Sequence, residues 1–386
     1  MQRLLLTCAL SLALASNASA ASVPVGCPAA SASAPASAVP RLHELTSLQL
    51  SRLMGAGWNL GNTLEAIGGE TAWGNPPASQ ALMDAVAAAG FKTVRIPASW
   101  KQHANADDQI DPRWMARVTE VVDSARRAGL FVMLNVHWDG GWLQPLRSRE
   151  AAGDARLSKF WSQIATNFRD HDDMLLFAGT NEVMVEGDYG TPKPEYAAVQ
   201  NGFNQVFVDT VRATGGCNAT RHLVVQAFNT NIDHALAFAV LPKDTAADRL
   251  MMEVHYYDPY DFTLNHDGKA WQWGAAATDK SATQPWADEA HVDAQFEKVK
   301  TRFVDRGVPV ILGEFGAMRR TDRPGSDAYA LAWDRYVAHS AWTHGAVPVY
   351  WDAGAPTENY SMGLFDRRTG RVVHPEVVEA LVGAAR

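Results

Sequence analysis

The sequence predicts a single (β/α)8 TIM barrel, an α/β fold, and three observations carry that reading. Short apolar runs alternate with helix-patterned stretches through the whole length after residue 50. Eight such strand-plus-helix units can be counted, with no second set of elements left over for another domain. Polar or aromatic side chains recur at the same end of successive runs, where a barrel gathers its functional groups. An open doubly wound sheet is the rival, and the chain lacks the glycine-rich phosphate turn that marks many of its nucleotide-binding examples. No internal repeat of 20 to 50 residues is present.

The elements follow in order. Residues 54–59 read as the first strand. Residues 79–89 read as a helix, capped by Ser79 and stopped at Gly90. Residues 91–96 form the second strand. A helix over 112–128 is opened by Asp111-Pro112 and closed at Gly129. The third strand is expected at 130–136, a helix at 154–169, and the fourth strand at 174–179. A helix over 195–213 leads to the fifth strand at 222–226, and a short helix at 232–239 to the sixth at 250–254. A long helix over 288–305 precedes the seventh strand at 308–312. A helix over 327–343 precedes the eighth at 346–351, and a terminal helix covers 373–382.

The N-terminus reads differently. Met1-Gln2-Arg3, an apolar run over 4–15 too short to span a bilayer, and Ala18-Ser19-Ala20 have the form of a secretory signal peptide over 1–20. Export, with cleavage near Ala20, is therefore expected. Residues 21–40, rich in Ala, Ser and Pro, read as a disordered leader. The catalytic domain is expected over 41–386. Cys27 lies in the leader, but Pro24 stands where a lipoprotein signal wants Leu. Cys27 and Cys217 are the cysteines left after cleavage, and whether they pair is open.

The formal charge of −8 argues against nucleic acid or an anionic membrane as partner. Two cysteines make no metal site, His-Glu-x-x-His is absent, and no metal or other cofactor is expected. A monomer is the expected state. Thirteen Trp are unusual, and Trp58, Trp100, Trp138, Trp142 and Trp351 fall just after apparent strands. Indole rings at strand ends make flat surfaces for the apolar faces of sugar rings.

Two runs end in glutamate. Met174-Leu175-Leu176-Phe177-Ala178-Gly179-Thr180-Asn181-Glu182 and Val308-Pro309-Val310-Ile311-Leu312-Gly313-Glu314 each place a carboxylate at a strand tip. Two carboxylates across a cleft are the apparatus of glycoside hydrolysis. The other tips carry Asn59 and Asn62, Arg95, His137 and Trp138, Asn181, His255 and Tyr257, and Trp351. Singly, each has a plain structural explanation; together, on successive strands, they outline a site.

These segments resemble family 5 glycoside hydrolases of the retaining, cellulase type. Trp58-Asn59-Leu60-Gly61-Asn62, Thr180-Asn181-Glu182, His255-Tyr256-Tyr257 and Gly313-Glu314-Phe315-Gly316 carry the resemblance, which covers residue 50 to the C-terminus. It implies that Glu182 is the acid/base and Glu314 the nucleophile. Arg95 and Tyr257 are then expected beside Glu314, with Glu182 protonated at the start. Asn181 is expected on the sugar 2-hydroxyl, His137 and His255 around the central subsite, and Trp351 under the sugar. Trp138 departs from the pattern, since many relatives carry a second His there. The segments at 70–76 and 257–262 also resemble endo-β-1,4-glucanases and are expected to line the cleft. The substrate expected is a β-linked polysaccharide, first a cellulose-like β-1,4-glucan. A β-mannanase, a xyloglucanase and a mixed-linkage glucanase are alternatives of the same class, and a non-catalytic carbohydrate-binding barrel is one of a different class.

Overall fold

A computed structural model describes residues 42–188 and 190–386. The expected signal peptide at 1–20, the expected leader at 21–40 and Cys27 lie outside the described residues. Eight parallel strands close on themselves in sequence order, β1 (Gly57–Asn59), β2 (Thr93–Ile96), β3 (Phe131–Asn135), β4 (Leu175–Ala178), β5 (Leu223–Gln226), β6 (Leu250–Tyr256), β7 (Val310–Phe315) and β8 (Ala346–Tyr350). Closure is the β1–β8 pairing, with Gly57 opposite Val349 and Trp58 opposite Tyr350. The fold class read from sequence is therefore the one observed.

The helices are α1 (Ser47–Ser51), α2 (Gln80–Ala88), α3 (Pro112–Arg127), α4 (Arg147–Asn167), α5 (Pro194–Ala213), α6 (Ile232–Phe238), α7 (Tyr260–Thr263), α8 (Glu289–Arg302), α9 (Ser326–Thr343) and α10 (Pro375–Ala384). Their starts follow local chemistry. Ser79, Asp111, Asn231 and Asp288 each accept a hydrogen bond from a first-turn backbone N–H. Proline occupies the first turn of α3, α5 and α10, where its missing N–H costs nothing.

Strand alternation divides the apolar residues into two layers. Val94, Val132, Leu134, Leu175, Phe177, Val225 and Val254 pack outward against the helices. Phe131, Met133, Leu176, Ala178, Val224, Met251, Ile311 and Val347 fill the barrel interior. Leu45, Leu50 and Met54 join that interior cluster, so the segment that includes α1 plugs the N-terminal end. Packed apolar layers leave the opposite end for polar groups.

Several boundaries differ from the sequence reading. Helix α4 starts at Arg147 rather than 154. Gly153 lies inside the helix, and a Cβ there would stand 3.0 Å from the Phe203 ring. It thus allows α4 and α5 to pack closely. Strand β1 starts at Gly57, since Gly55 turns the chain with φ +51°. Strands β6 and β7 run on to Tyr256 and Phe315, so His255 and Glu314 sit within strands rather than beyond their tips. A two-stranded hairpin, β9 (Phe365–Asp366) and β10 (Arg371–Val372), was not read from sequence. Cys217 is buried and disulfide-bonded.

Candidate active site

Glu314 faces the barrel axis because of a register shift. Val254 pairs with Leu312, but His255 pairs with Glu314, which leaves Gly313 as an extra residue between them. Ile311 points inward and Leu312 outward. Simple alternation would turn Glu314 outward; the bulge restores it to the interior. The extra residue has to be glycine. A Cβ on Gly313 would stand 2.0 Å from Glu253 Oε1. The Gly313 carbonyl, displaced from regular pairing, accepts the Asn59 amide at 2.8 Å. Asn59 also donates to the Val349 and Tyr350 carbonyls and accepts from Arg95. It is fully buried, so it supports the site rather than facing substrate.

Arg95 is the hub beneath the carboxylates. From β2 its Nη1 donates to Glu314 Oε1 at 2.8 Å, its Nη2 donates to Asn181 Oδ1 at 2.5 Å, and its Nε lies 2.9 Å from Glu253 Oε1. The Tyr257 hydroxyl donates to the other Glu314 oxygen at 3.2 Å. Burial raises Glu314 above the ordinary carboxylate range, with Glu182 and Glu253 adding to the rise, while His255 and Arg95 oppose it. Burial, together with Glu314 and Glu182 nearby, pushes Tyr257 well above its usual value, so it stays a phenol and a donor.

Glu182 follows β4 with left-handed backbone, φ +46°, which is uncommon for any residue but glycine. Its N–H is held by Gln226 Oε1 at 3.1 Å, and its Oε1 lies 2.7 Å from His255 Nδ1. His255 also stands 3.2 Å from Glu253 and 3.7 Å from Glu314. Burial alone would lower the imidazole, but Glu314, Glu182 and Glu253 override that and raise it to about 9. His255 is therefore an imidazolium at neutral pH. One oxygen each of Glu182 and Glu314 and one His255 nitrogen all lie within 4.8 Å of one another. That spacing would also admit a metal ion. Both His255 ring nitrogens, however, already face carboxylates, Nδ1 at 2.7 Å from Glu182 and Nε2 at 3.2 Å from Glu253, and the cluster reads as a proton-sharing group.

His137 has the opposite character. Burial, then the charges of Arg95 and His255, hold it well below its ordinary value. Asn135 spends its Oδ1 on the Ala98 N–H at 3.1 Å, so its Nδ2 meets His137 Nδ1 at 3.0 Å. Neutral His137 then carries its proton on Nε2, 3.5 Å from Asn181 Nδ2. Two donors side by side call for a shared acceptor such as a sugar hydroxyl.

The aromatic walls stand on either side. Trp351 follows β8, with its ring nearly parallel to His137 and centroids 6.1 Å apart. Its neighbour Asp352 is fully buried and accepts from Trp58 Nε1, Gly354, Leu364 and Arg367. Trp138 is 51% exposed, and the following loop folds against it so closely that a Cβ added to Gly141 would stand 3.2 Å from its ring nitrogen. Trp138, Trp142, Asn181 and Glu182 line a cleft pocket of about 210 Å³. A second, open pocket of about 500 Å³ is lined by Asn62, Trp73, Tyr360 and Arg368 and borders the segment after Trp351.

All eleven strand-tip side chains singled out in the sequence, Asn62 included, thus lie at or under one mouth of the barrel. The sequence reading missed Glu253, Gln226, Asn135 and Asp352. Glu253 left a signal: it is a charge inside the apolar run Met251-Met252-Glu253-Val254-His255, on the same face as His255 by period-2 alternation.

The profile of the family described as Cellulase (glycosyl hydrolase family 5) matches residues 59–356. The chain belongs to glycoside hydrolase family 5. It is 43% identical to a xyloglucan-specific endo-β-1,4-glucanase of Bacteroides ovatus, over 88% of this chain and 70% of that one. A solved Bacteroides ovatus family 5 xyloglucanase in complex with an XXXG heptasaccharide superposes with a TM-score of 0.85 at 42% identity, covering 89% of this chain and 77% of the other. A broad-specificity endoglucanase from Bacteroides salanitronis gives a TM-score of 0.83 at 41% identity, covering 88% and 95%. As a member of this family the protein is a glycoside hydrolase.

Proposed function

We propose that this glycoside hydrolase is a secreted, retaining endo-β-1,4-glucanase in which Glu314 is the nucleophile and Glu182 the acid/base. The observation that carries the reading is the approach of the Glu182 and Glu314 oxygens to within 4.8 Å. Retaining enzymes place their carboxyls about 5–5.5 Å apart, whereas inverting enzymes leave about 6.5–9.5 Å for a water.

The geometry then orders the steps. Glu314, with Arg95 on one oxygen and Tyr257 on the other, attacks the anomeric carbon as its glycosidic bond breaks. Glu182 gives its proton to the leaving oxygen. A water enters on the vacated side, Glu182 takes its proton, and the oxygen displaces Glu314 to release the sugar with its starting configuration. Asn181, with its oxygen held by Arg95, turns its amide N–H groups to the sugar 2-hydroxyl. His137 donates beside it. Trp351 supports the sugar on one side of the cut, and Trp138 offers a surface beside Glu182 on the other.

Xyloglucan is the second reading of the substrate. The wide pocket beyond Trp351 has room for a side sugar, and the Bacteroides ovatus relative is named as xyloglucan-specific. A panel of unbranched β-1,4-glucan, xyloglucan, β-mannan and mixed-linkage glucan, read by reducing ends and product size, decides between them. Internal cuts in a β-1,4-glucan backbone are expected. Release of single sugars from chain ends, or no cleavage of any glucan, refutes the proposal. Export through residues 1–20, to the medium or the periplasm, predicts a mature N-terminus near residue 21, which N-terminal sequencing of protein from the culture medium and the periplasmic fraction checks.

A further inference from the structure

Glu253 takes part in none of the steps above, yet it is a fully buried carboxylate at the centre of the charge cluster. Its Oε1 lies 2.9 Å from Arg95 Nε and 3.2 Å from His255 Nε2, and its Oε2 accepts from Gln226 Nε2 at 2.8 Å. Arg95 in turn holds Glu314 and Asn181, and His255 holds Glu182. Both cations that serve the catalytic glutamates are thus shared with Glu253.

We propose that Glu253 is a positioning residue that sets the proton balance of the catalytic pair by neutralising part of the charge on Arg95 and His255. This rests on the roles proposed for Glu182 and Glu314. Arg95 faces the cluster from β2, neutral His137 from beyond the end of β3, Glu182 from beyond the end of β4, Gln226 from β5, His255 from β6 and Tyr257 from just after it, and Glu314 from β7. Three carboxylates surround two cations. With every group ionised the cluster carries one excess negative charge, and holding one proton cancels it. A retaining glycosidase needs that state, with one carboxyl protonated and its partner ionised. Remove the Glu253 charge and two cations balance two catalytic carboxylates, so the proton is no longer favoured. Burial alone would raise Glu253, but Arg95, His255 and Gln226 outweigh it and keep it ionised.

Glu253→Gln keeps the shape and removes the charge. Both limbs of its pH–rate profile should move to lower pH by about one unit, since a nearby lost anion makes every remaining proton easier to release. The rate at pH 8 relative to pH 5 should then fall roughly tenfold. Gln226→Met disturbs the same packing without a charge change and should lower the rate with the limbs unmoved. Glu253→Asp should likewise keep the limbs in place. Limbs of Glu253→Gln that coincide with the wild type, or equal shifts in the Gln226→Met variant, overturn the proposal.

Titration of His255 by NMR gives a readout independent of catalysis. The unaltered protein should show a midpoint near 9, falling by about one unit in Glu253→Gln. A wild-type midpoint near the ordinary 6.5 overturns the proposal even where the variant does not fold. Absence of glycosidase activity in the wild type would instead refute the assigned reaction, and the His255 titration would still report on Glu253.

Discussion

Gly313→Ala should be far more damaging than adding one methyl group suggests. The new Cβ would stand 2.0 Å from Glu253 Oε1, 2.7 Å from its Cδ and 2.8 Å from its Cγ. A flexible side chain would swing away, but this one is fixed by Arg95, His255 and Gln226. Either the carboxylate leaves its cations or the bulge moves. Breaking a buried ion pair costs about 3–5 kcal/mol. With an unfolding entropy of about 2.1 cal/mol/K per residue over roughly 345 residues, that lowers the melting temperature by about 4–7 °C. A shift of the bulge also displaces Glu314, and a misplacement of ~1 Å can lower kcat about 100-fold. Gly383→Ala is the matching control. It lies in α10, exposed, with nothing within 4 Å of the added carbon, and should stabilise by about 0.5–1 kcal/mol. Calorimetry and initial rates on a soluble β-glucan read both variants. A Gly313→Ala protein that melts with the wild type and keeps its kcat refutes the reasoning.

Three further outcomes follow from the same geometry. Glu182→Ala should lose about 10²–10⁴-fold on polysaccharide but much less in the first step on an aryl glycoside whose leaving group needs no proton, measured by the burst of released phenol. Trp138→Ala should weaken kcat/KM on long chains by roughly tenfold, the size of a lost stacking contact of ~1–1.5 kcal/mol, with little change in melting temperature. Acidification should destabilise the fold through His222. Burial, with Arg249, Arg212 and Arg221 nearby, holds this imidazole neutral down to about 3, against 6.5 unfolded. A depressed imidazole contributes stability above pH 6.5 that is lost on acidification, at about 1.4 kcal/mol per pH unit between 6.5 and 3. His222→Asn, which can still meet Ser47 Oγ, should show a shallower decline in melts between pH 6.5 and 4.

The sequence made the outline legible because barrel closure acts on period and order. Apolar runs capped by Glu182 and Glu314 could be read directly, and so could Arg95 and His255 at the ends of theirs. What stayed hidden depends on pairing between strands. The Gly313 bulge is a property of the β6–β7 register, so neither strand's own pattern announces it. The left-handed turn at Glu182 has its N–H held by Gln226, which lies on the next strand. Asn59 was legible as a strand-tip residue, but its task of holding the bulge carbonyl emerges only with the bulge. Glu253 was legible in principle, as a lone charge on the inward face of an apolar strand. The pocket beyond Trp351 is built by loops joined through Asp352 and Arg367, and no local periodicity encodes that.

The most direct test of the central claim is covalent trapping. A 2-deoxy-2-fluoro cello-oligosaccharide with an activated leaving group slows release of the glycosyl-enzyme, and mass spectrometry of the digested protein locates the sugar. One glycosyl unit per chain is expected, on the peptide carrying Glu314 and on that residue. A label on any other residue, or products released with inverted anomeric configuration and no covalent adduct, would contradict it.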